Sequence, residues 1–553
     1  MPGGHVLKRG PRGPTGAEAA FGGTCGDDLL GILADLPPSG GRFVWAEPPL
    51  SADYGVASGD PRPDQVVLWT RVPEAAQPPA GHAIEVQYQV ATSPSFAPGT
   101  IAVQGEVTTE SSADYTVKVT AEGLTPATRY YYRFWTATGY QSMVGRTKTA
   151  PAQEAHPDLV SFAFVSCQAF TDAFYTVFAR LAEEDVDFYV HLGDTIYERG
   201  SPAVEAHAVR EDPIGEATSL ATYCQKYQLY LSDPNFREVR RRFPWVVLWD
   251  DHELFDNYAG TVVSEQDPQR QRDAYTAFLE YMPVQPIEPL SPSGVPSVRL
   301  YRQFSFGDLL DIFALDERQY RDGAVCARNF LSTACPELDD PARTMLGEAQ
   351  KSWLKSALLA SKARWKCLLN EVTMMRLALA NLDPRGVAGL PPMLLHVPAL
   401  TDESLYINLD AWDGYPAERA ELLQFLTDQQ VRNVVVCTGD FHHNLAGVLR
   451  PDFTDPASPV VAVEVVGGSV SSVNVTDALG RDLTPLARQL IPRVNPHIEY
   501  LDLKYHVYTK VVVTPEQMNV SYIAANTVSQ PSSDAFLLQC FMIPDGVSIL
   551  TQR

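Results

Sequence analysis

Positive charge is scarce: 553 residues carry 43 Lys and Arg against 67 Asp and Glu, a formal net charge of −24. That balance argues against a nucleic-acid-binding surface, because phosphate backbones need clustered Lys and Arg. It suits solubility and carboxylate-rich metal sites, and an anionic substrate would then need local positive charge, most cheaply from bound metal ions. No uninterrupted apolar stretch approaches the ~20 residues of a transmembrane helix. Eight cysteines are too few for a disulfide framework in a chain of this size. Cys326 and Cys335 flank a short polar loop and stand either as one local bridge or as two unrelated thiols. Cys224, Cys367, Cys437 and Cys540 lie in apolar or aromatic company and read as small core hydrophobes. Internal repeats are also missing. The Gly- and Pro-rich start, with its basic stretch Lys8 to Arg12, lacks the apolar region a secretory signal needs. Residues 1–45 are therefore expected to be disordered, and the whole chain is expected to be a monomer.

What remains is ordinary globular composition, 45% hydrophobic and 20% charged, in a length that suits about two to four domains. From about Tyr54 to Thr149 the pattern is all-β. Ile84, Val86, Tyr88 and Val90 alternate with Glu85, Gln87 and Gln89, and Tyr115 to Val119 repeats the period of two. Leu124 and Pro126 lead into Tyr130, the tyrosine-corner signature of immunoglobulin- and fibronectin-like sandwiches. Pro151 to Pro157 is a linker, and beyond it strands alternate with helices, which argues for an α/β domain. Helical spacing is clear over Phe174–Glu184, Leu346–Ala360 and, opened by Pro416, Ala417–Gln430. Val460 to Phe541 reads as mostly strand.

Four apolar runs end abruptly in metal-binding or proton-handling residues. Leu159–Val165 runs into Ser166-Cys167-Gln168, and Val186–Leu192 into Gly193-Asp194, with Tyr197-Glu198 just beyond. Trp245–Trp249 runs into Asp250-Asp251-His252-Glu253, and Val434–Cys437 into Gly439-Asp440-Phe441-His442-His443. Runs of that length read as buried strands, and the crevice past their carboxyl ends is where an α/β sheet puts its active site. Four junctions with complementary chemistry look like one polynuclear metal site. Asp194 can reach two hard cations at once, the preceding glycine allowing a tight turn. Tyr197 is either packing or a phenolate ligand, and Cys167 either a buried structural thiol or a thiolate whose pKa a metal depresses. Four consecutive ionisable groups, Asp250 to Glu253, are costly beside a buried strand unless partnered. Asn257 follows within reach as a neutral ligand or a substrate contact. Asp440 and His442 can face the same way across an extended backbone, with His443 and Asn444 supporting them.

Ser-Cys-Gln, Gly-Asp-x-Ile-Tyr-Glu, Trp-Asp-Asp-His-Glu and Gly-Asp-x-His, in this order, resemble the PhoD-type alkaline phosphatases, a branch of the metallophosphoesterases. Leu315 to Arg321, Trp412 to Pro416 and Val470-Ser471-Ser472 resemble further blocks of that family. The resemblance implies a metallophosphoesterase-like β-sandwich catalytic domain flanked by helices over 158–541, preceded by an N-terminal β-sandwich domain over 46–150. It implies hydrolysis of phosphomonoesters and phosphodiesters at one ferric ion with calcium. Cys167 and Tyr197 would hold iron, Asp194 would bridge iron and calcium, and Asp251 would lie on the calcium side. Asp440 and His442 would complete the two metal sides, and His252, with Asn257, would face the substrate phosphate. An extracellular or periplasmic location is implied too, although the family's twin-arginine signal is not recognisable here. Lys504 to Tyr508 also departs from the family, standing where a Gly-Tyr element is expected. A phospholipase D-like activity on lipid headgroups is the main alternative, and a metal-stabilised, non-enzymatic surface protein a distant one.

Overall fold

The computed structural model describes residues 54–79, 81–202, 208–291, 297–326, 331–379 and 405–553. The N-terminal segment expected to be disordered lies outside them.

Fully buried, apolar strands of four to six residues need cover on both faces, and here they lie in two large sheets. The ten-stranded sheet runs Thr551–Gln552, Ala535–Pro544, Gln517–Ala525, Val507–Val513, Val160–Val165, Phe188–His191, Pro244–Val247, Val56–Gly59, Gln65–Arg71 and Thr116–Glu122. Its centre, from Val160–Val165 to Val56–Gly59, is parallel. The seven-stranded sheet runs Arg302–Phe306, Leu310–Ala314, Trp365–Asn370, Val434–Thr438, Ala462–Val466, Asn444–Leu449 and Ile498–Asp502. It too has a parallel centre, from Leu310–Ala314 to Ala462–Val466.

One apolar cluster joins residues of both sheets, among them Phe162, Phe188 and Val246 from the first and Ile312, Cys367 and Val435 from the second. On its other face the first sheet packs against helices Leu220–Tyr230, Pro234–Arg242 and Pro268–Tyr281 through Tyr223, Phe236 and Phe278. The outer face of the second sheet buries Leu354, Leu358, Leu422 and Leu426 of helices Gly347–Ala360 and Pro416–Asp428. The result is a mixed α/β architecture with stacked sheets at its centre. Three of the four junctions read from the sequence lie in the first sheet, whereas Val434–Thr438 belongs to the second. The site therefore draws on the ends of strands in both sheets.

The first hundred described residues are all-β with short 3₁₀ turns. A four-stranded sheet, Ile101–Thr109, Ile84–Ala91, Arg129–Thr136 and Gly145–Lys148, shares a core with Val56–Gly59, Gln65–Arg71 and Thr116–Glu122. The Tyr130 hydroxyl accepts from Thr125 N at 2.9 Å, the corner contact its sequence setting predicts. The second layer of this region is continuous with the ten-stranded sheet, since Val56–Gly59 pairs in parallel with Pro244–Val247.

In the stretch from Val460 to Phe541 most of the regular structure is strand, as its sequence suggests, and it also includes helices Val475–Leu479 and Thr484–Val494. Cys540 is buried as expected but is disulfide-bonded rather than a simple apolar filler. Cys326 and Cys335 form a disulfide with Cα atoms 5.6 Å apart.

Candidate metal centre

Three of the four strands feeding the site, Val160–Val165, Phe188–His191 and Val434–Thr438, are followed by a left-handed reversal that carries a candidate ligand. Gly193 has φ +107°, and a Cβ there would lie 2.3 Å from Asp250 Cβ. Cys167, Asp194, Asn257, Asp440 and His442 all occupy the left-handed region, with φ between 55° and 59°. That conformation costs non-glycine residues roughly 1–2 kcal/mol each. Such strain persists where surrounding bonds over-determine it, and it clusters at functional sites. Asp440 and His442 thus reach the site by tight turning rather than across the extended backbone expected from their spacing.

The bonds that hold these turns are specific. The Glu253 carboxylate accepts from the backbone N–H of Asp194 (3.1 Å), Thr195 (2.6 Å) and Asp250 (2.8 Å), and from Thr195 Oγ1 (2.6 Å). It ties two strand ends together and is not free for chemistry. Gln168 spans Thr195 O (2.6 Å) and His191 Nε2 (3.2 Å), fixing the turn beside Cys167. Cys167 N donates to Gly193 O at 3.2 Å.

Three ligand groups converge. Potential donor atoms of Cys167, Asp194 and His442 all lie within 4.8 Å of one another, as do those of Asp194, Asp251 and His252, and those of Asp250, Asp251 and Asp440. Asp194 belongs to the first two and Asp251 to the last two, so the groups form a continuous chain. Tyr197 Oη stands 3.3 Å from His442 Nε2, which adds a phenol to the first group. The His442 Nδ1–H donates to Val473 O at 2.9 Å, which leaves the Nε2 lone pair facing the group. One end of the site therefore offers sulfur, phenol, imidazole and carboxylate, and the other end only carboxylates.

Burial and crowding make this protein-only arrangement electrostatically unfavourable. Burial pushes the Asp194 carboxyl far up; His252 opposes that, while Asp251, Asp250 and Glu253 add to it. Asp440 is pushed up to about 7 by burial, against the pull of Arg318. The Cys167 thiol and the Tyr197 phenol are raised by burial and then by neighbouring negative charge. Of the carboxylates in these three groups, Asp251 alone is held low: burial would raise it, but Arg318 and His252 outweigh that. Asp250 Oδ2 and Asp251 Oδ1 are buried without a hydrogen-bond partner. Buried, unpaired carboxylate oxygens are costly, and cations between them would remove each penalty. The donor set fits that role: hard oxygens suit calcium-like ions, and a thiolate–phenolate–imidazole set suits a transition metal.

Arg318 is the residue the sequence reading left without a role. Fully buried, it donates to Asp250 and Asp410, reaches Asp440 Oδ1 at 3.2 Å and lies 3.6 Å from Asp251 Oδ1. It belongs to the Leu315–Arg321 block, which is the only signal that marked it. His252 is nearly buried. Its Nδ1–H donates to Glu198 Oε2 at 2.7 Å, and its Nε2 lies 3.8 Å from the exposed Asp256. Asn257 contacts Asp251 through its main chain, N to Oδ2 at 2.6 Å, while its side-chain amide turns to Asp256. His443 and Asn444 secure neighbouring loops: His443 Nε2 accepts from Val475 N at 3.1 Å, and Asn444 bonds Gly468 N and Tyr505 O, each at 2.9 Å.

Comparison with known proteins gives one consistent answer. Residues 162–522 match the family model for PhoD-like phosphatase, and residues 44–151 match that for the PhoD-like phosphatase N-terminal domain. The chain is 35% identical over 521 residues to alkaline phosphatase D of Bacillus subtilis (strain 168), covering 91% of this chain and 83% of that protein. A solved structure of PhoD superposes with a TM-score of 0.79 at 32% identity, covering 93% of each chain.

Proposed function

The chain belongs to the PhoD-like phosphatase family and is a phosphoric ester hydrolase, and from that premise we propose that it hydrolyses phosphomonoesters and phosphodiesters at an iron–calcium centre. The observation that carries this reading is the sharing of Asp194 between the Cys167–His442 group and the Asp251–His252 group. In this reading Cys167, Tyr197, His442 and Asp194 hold the ferric ion, while Asp194, Asp251 and Asp440 face calcium. Ions bound there would activate water as a nucleophile and neutralise charge on the phosphoryl oxygens.

The rest of the work falls to the chain's own side chains. The Glu198 bond fixes the His252 ring and its tautomer, which leaves Nε2 towards the substrate side. Burial alone would lower the His252 pKa; in the ion-free protein Asp251, Asp194 and Glu198 raise it, and with cations on Asp194 and Asp251 the Glu198 bond is the contact that supports a protonated ring. His252 then protonates the departing ester oxygen or holds a non-bridging one. Asn257 stands with it on the substrate side. No covalent phosphoenzyme forms. In the same reading residues 46–150 are a β-sandwich domain and 158–541 a metallophosphoesterase sandwich. The Cys326–Cys335 bond supports an oxidising, extracellular or periplasmic location.

Elemental analysis of protein purified without added metal tests the centre. About one iron with accompanying calcium per chain is expected, whereas zinc or manganese without iron would overturn the Cys167 and Tyr197 roles. Asp194→Ala should abolish metal binding and turnover together, and activity in a metal-loaded Asp194→Ala protein would sink the assignment. Relative turnover of a monoester, a simple diester and phosphatidylcholine separates general ester hydrolysis from headgroup-specific diesterase activity.

A further inference from the structure

Three of the four donors at the sulfur-containing end of the site, Cys167, Tyr197 and His442, follow three separate strand ends, yet one segment, Ser469 to Val473, contacts each of these three residues. Val470 N donates to Ser166 O at 3.0 Å, and Ser471 N and Ser472 N both donate to Cys167 O at 3.3 Å. The Ser471 hydroxyl adds a bond to Ala169 O at 2.9 Å. Val473 O receives the His442 Nδ1–H at 2.9 Å, which fixes that ring's ligating nitrogen. Ser472 Oγ donates to Tyr197 Oη at 2.7 Å.

The direction of that last bond is set by its surroundings. Ala169 N donates to Ser472 Oγ at 3.0 Å, so the serine oxygen accepts from the backbone and its own hydrogen points to the phenol. Ser472 is fully buried, and no bulk water competes. A hydrogen bond received by the Tyr197 oxygen fixes its direction and draws on its electron density, which sets how strongly that oxygen donates to an ion.

The segment is anchored from behind. Ser469 Oγ donates to Ser472 O at 2.6 Å and lies 3.0 Å from His506 Nδ1, and His506 Nε2 lies 3.0 Å from Asp477 Oδ2. His506 belongs to Lys504–Tyr508, the stretch whose sequence alone reads as a departure from the family pattern. We infer that Ser472 is a positioning residue that donates a tuning hydrogen bond to the metal-binding Tyr197 oxygen, braced through Ser469 by His506 and Asp477.

This inference rests on the proposed role of Tyr197 as a ligand, and the test separates the two. Wild-type protein loaded with iron should show a visible tyrosinate-to-ferric charge-transfer band; its absence overturns the ferric reading. Given the band, Ser472→Ala should keep its iron, move the band to longer wavelength and lower kcat by about tenfold, in the usual range for a lost outer contact. Ser472→Thr, which keeps the hydroxyl, should restore both. His506→Asn should give a smaller shift in the same direction, and it serves if the alanine variant fails to fold. An unmoved band in the iron-loaded variants, or intensity lost only in proportion to iron, overturns the tuning role. If wild type has no ferric band, the same comparison on cobalt(II)-loaded protein, whose visible bands report ligand geometry, decides the positioning role alone.

Discussion

At the residue scale, a buried ionisable group is informative when its partners are counted atom by atom. Glu253 has four donors and is structural, whereas Asp250 and Asp251 each keep an oxygen without a hydrogen-bond donor, that of Asp251 facing Arg318 at 3.6 Å, and so remain able to meet a cation. His497 shows the same logic away from the site. Its Nε2–H donates to Arg376 O at 2.8 Å, its ring packs on Phe453, and its Nδ1 is buried without a partner. Protonating Nδ1 would bury an unpaired charge, and burial lowers this imidazole to about 4. The unfolded chain, with a histidine near 6.5, therefore binds more protons between those two values. Stability from His497 is complete above about pH 6.5 and is lost as pH falls towards 4, a contribution on the order of 3 kcal/mol. Urea unfolding at a series of pH values should show this slope, and His497→Gln, which keeps a donor but does not titrate, should flatten it by one proton's worth. An unchanged slope would mean that the ring is already charged in the fold.

At the element scale, the strand-to-turn transitions position the chemistry, and Gly193 is the clearest case. A side chain there meets Asp250 Cβ, Asp250 N at 2.7 Å and the carbonyl carbon of Trp249 at 2.9 Å, in a backbone conformation that already excludes L residues. Gly193→Ala should cost about 1–3 kcal/mol of stability or more, and should strip metal from the purified protein because Asp194 and Asp250 are pushed apart. Normal metal content in that variant would show that the turn can relax without moving its ligands. The four junctions were legible because a buried strand followed by unlike polar residues leaves a local pattern. Their assembly from two different sheets was not, since apolar periodicity reports a strand and never its neighbours. Arg318 was illegible for a related reason: its partners lie 68, 92 and 122 residues away. Helix Thr484–Val494 was missed although Leu486, Ala487, Leu490, Ile491 and Val494 recur at helical spacing, because Pro492 inside it reads as a break and the stripe is only half-buried. Tyr130, by contrast, was readable because its partner Thr125 is five residues away.

At the scale of the whole molecule, the all-β region and the site-bearing region share more than a linker. Val56–Gly59 covers the edge of Pro244–Val247, the strand that leads to Asp250 and Asp251, and Asp60 N donates to Trp245 O at 2.8 Å. Asp60 Oδ1 also pairs with Arg302 at 2.8 Å, where both side chains are almost wholly buried. Trp69 packs under Arg240 and donates from Nε1 to Glu280 O at 2.7 Å. A chain beginning at residue 152 would leave an open sheet edge, which invites aggregation, and a buried guanidinium without its carboxylate, a loss of roughly 3–5 kcal/mol. Both defects lie at the strand that delivers half the carboxylates of the site. Such a chain should therefore aggregate or melt without cooperativity, and it should fail to retain metal even when metal is supplied during refolding. Adding residues 54–151 as a separate polypeptide should recover soluble, metal-binding protein, because the missing strand and Asp60 return with it. If the shortened chain instead melts cooperatively with its metal intact, the shared sheet is a surface of contact only, and the site is built by the second region alone.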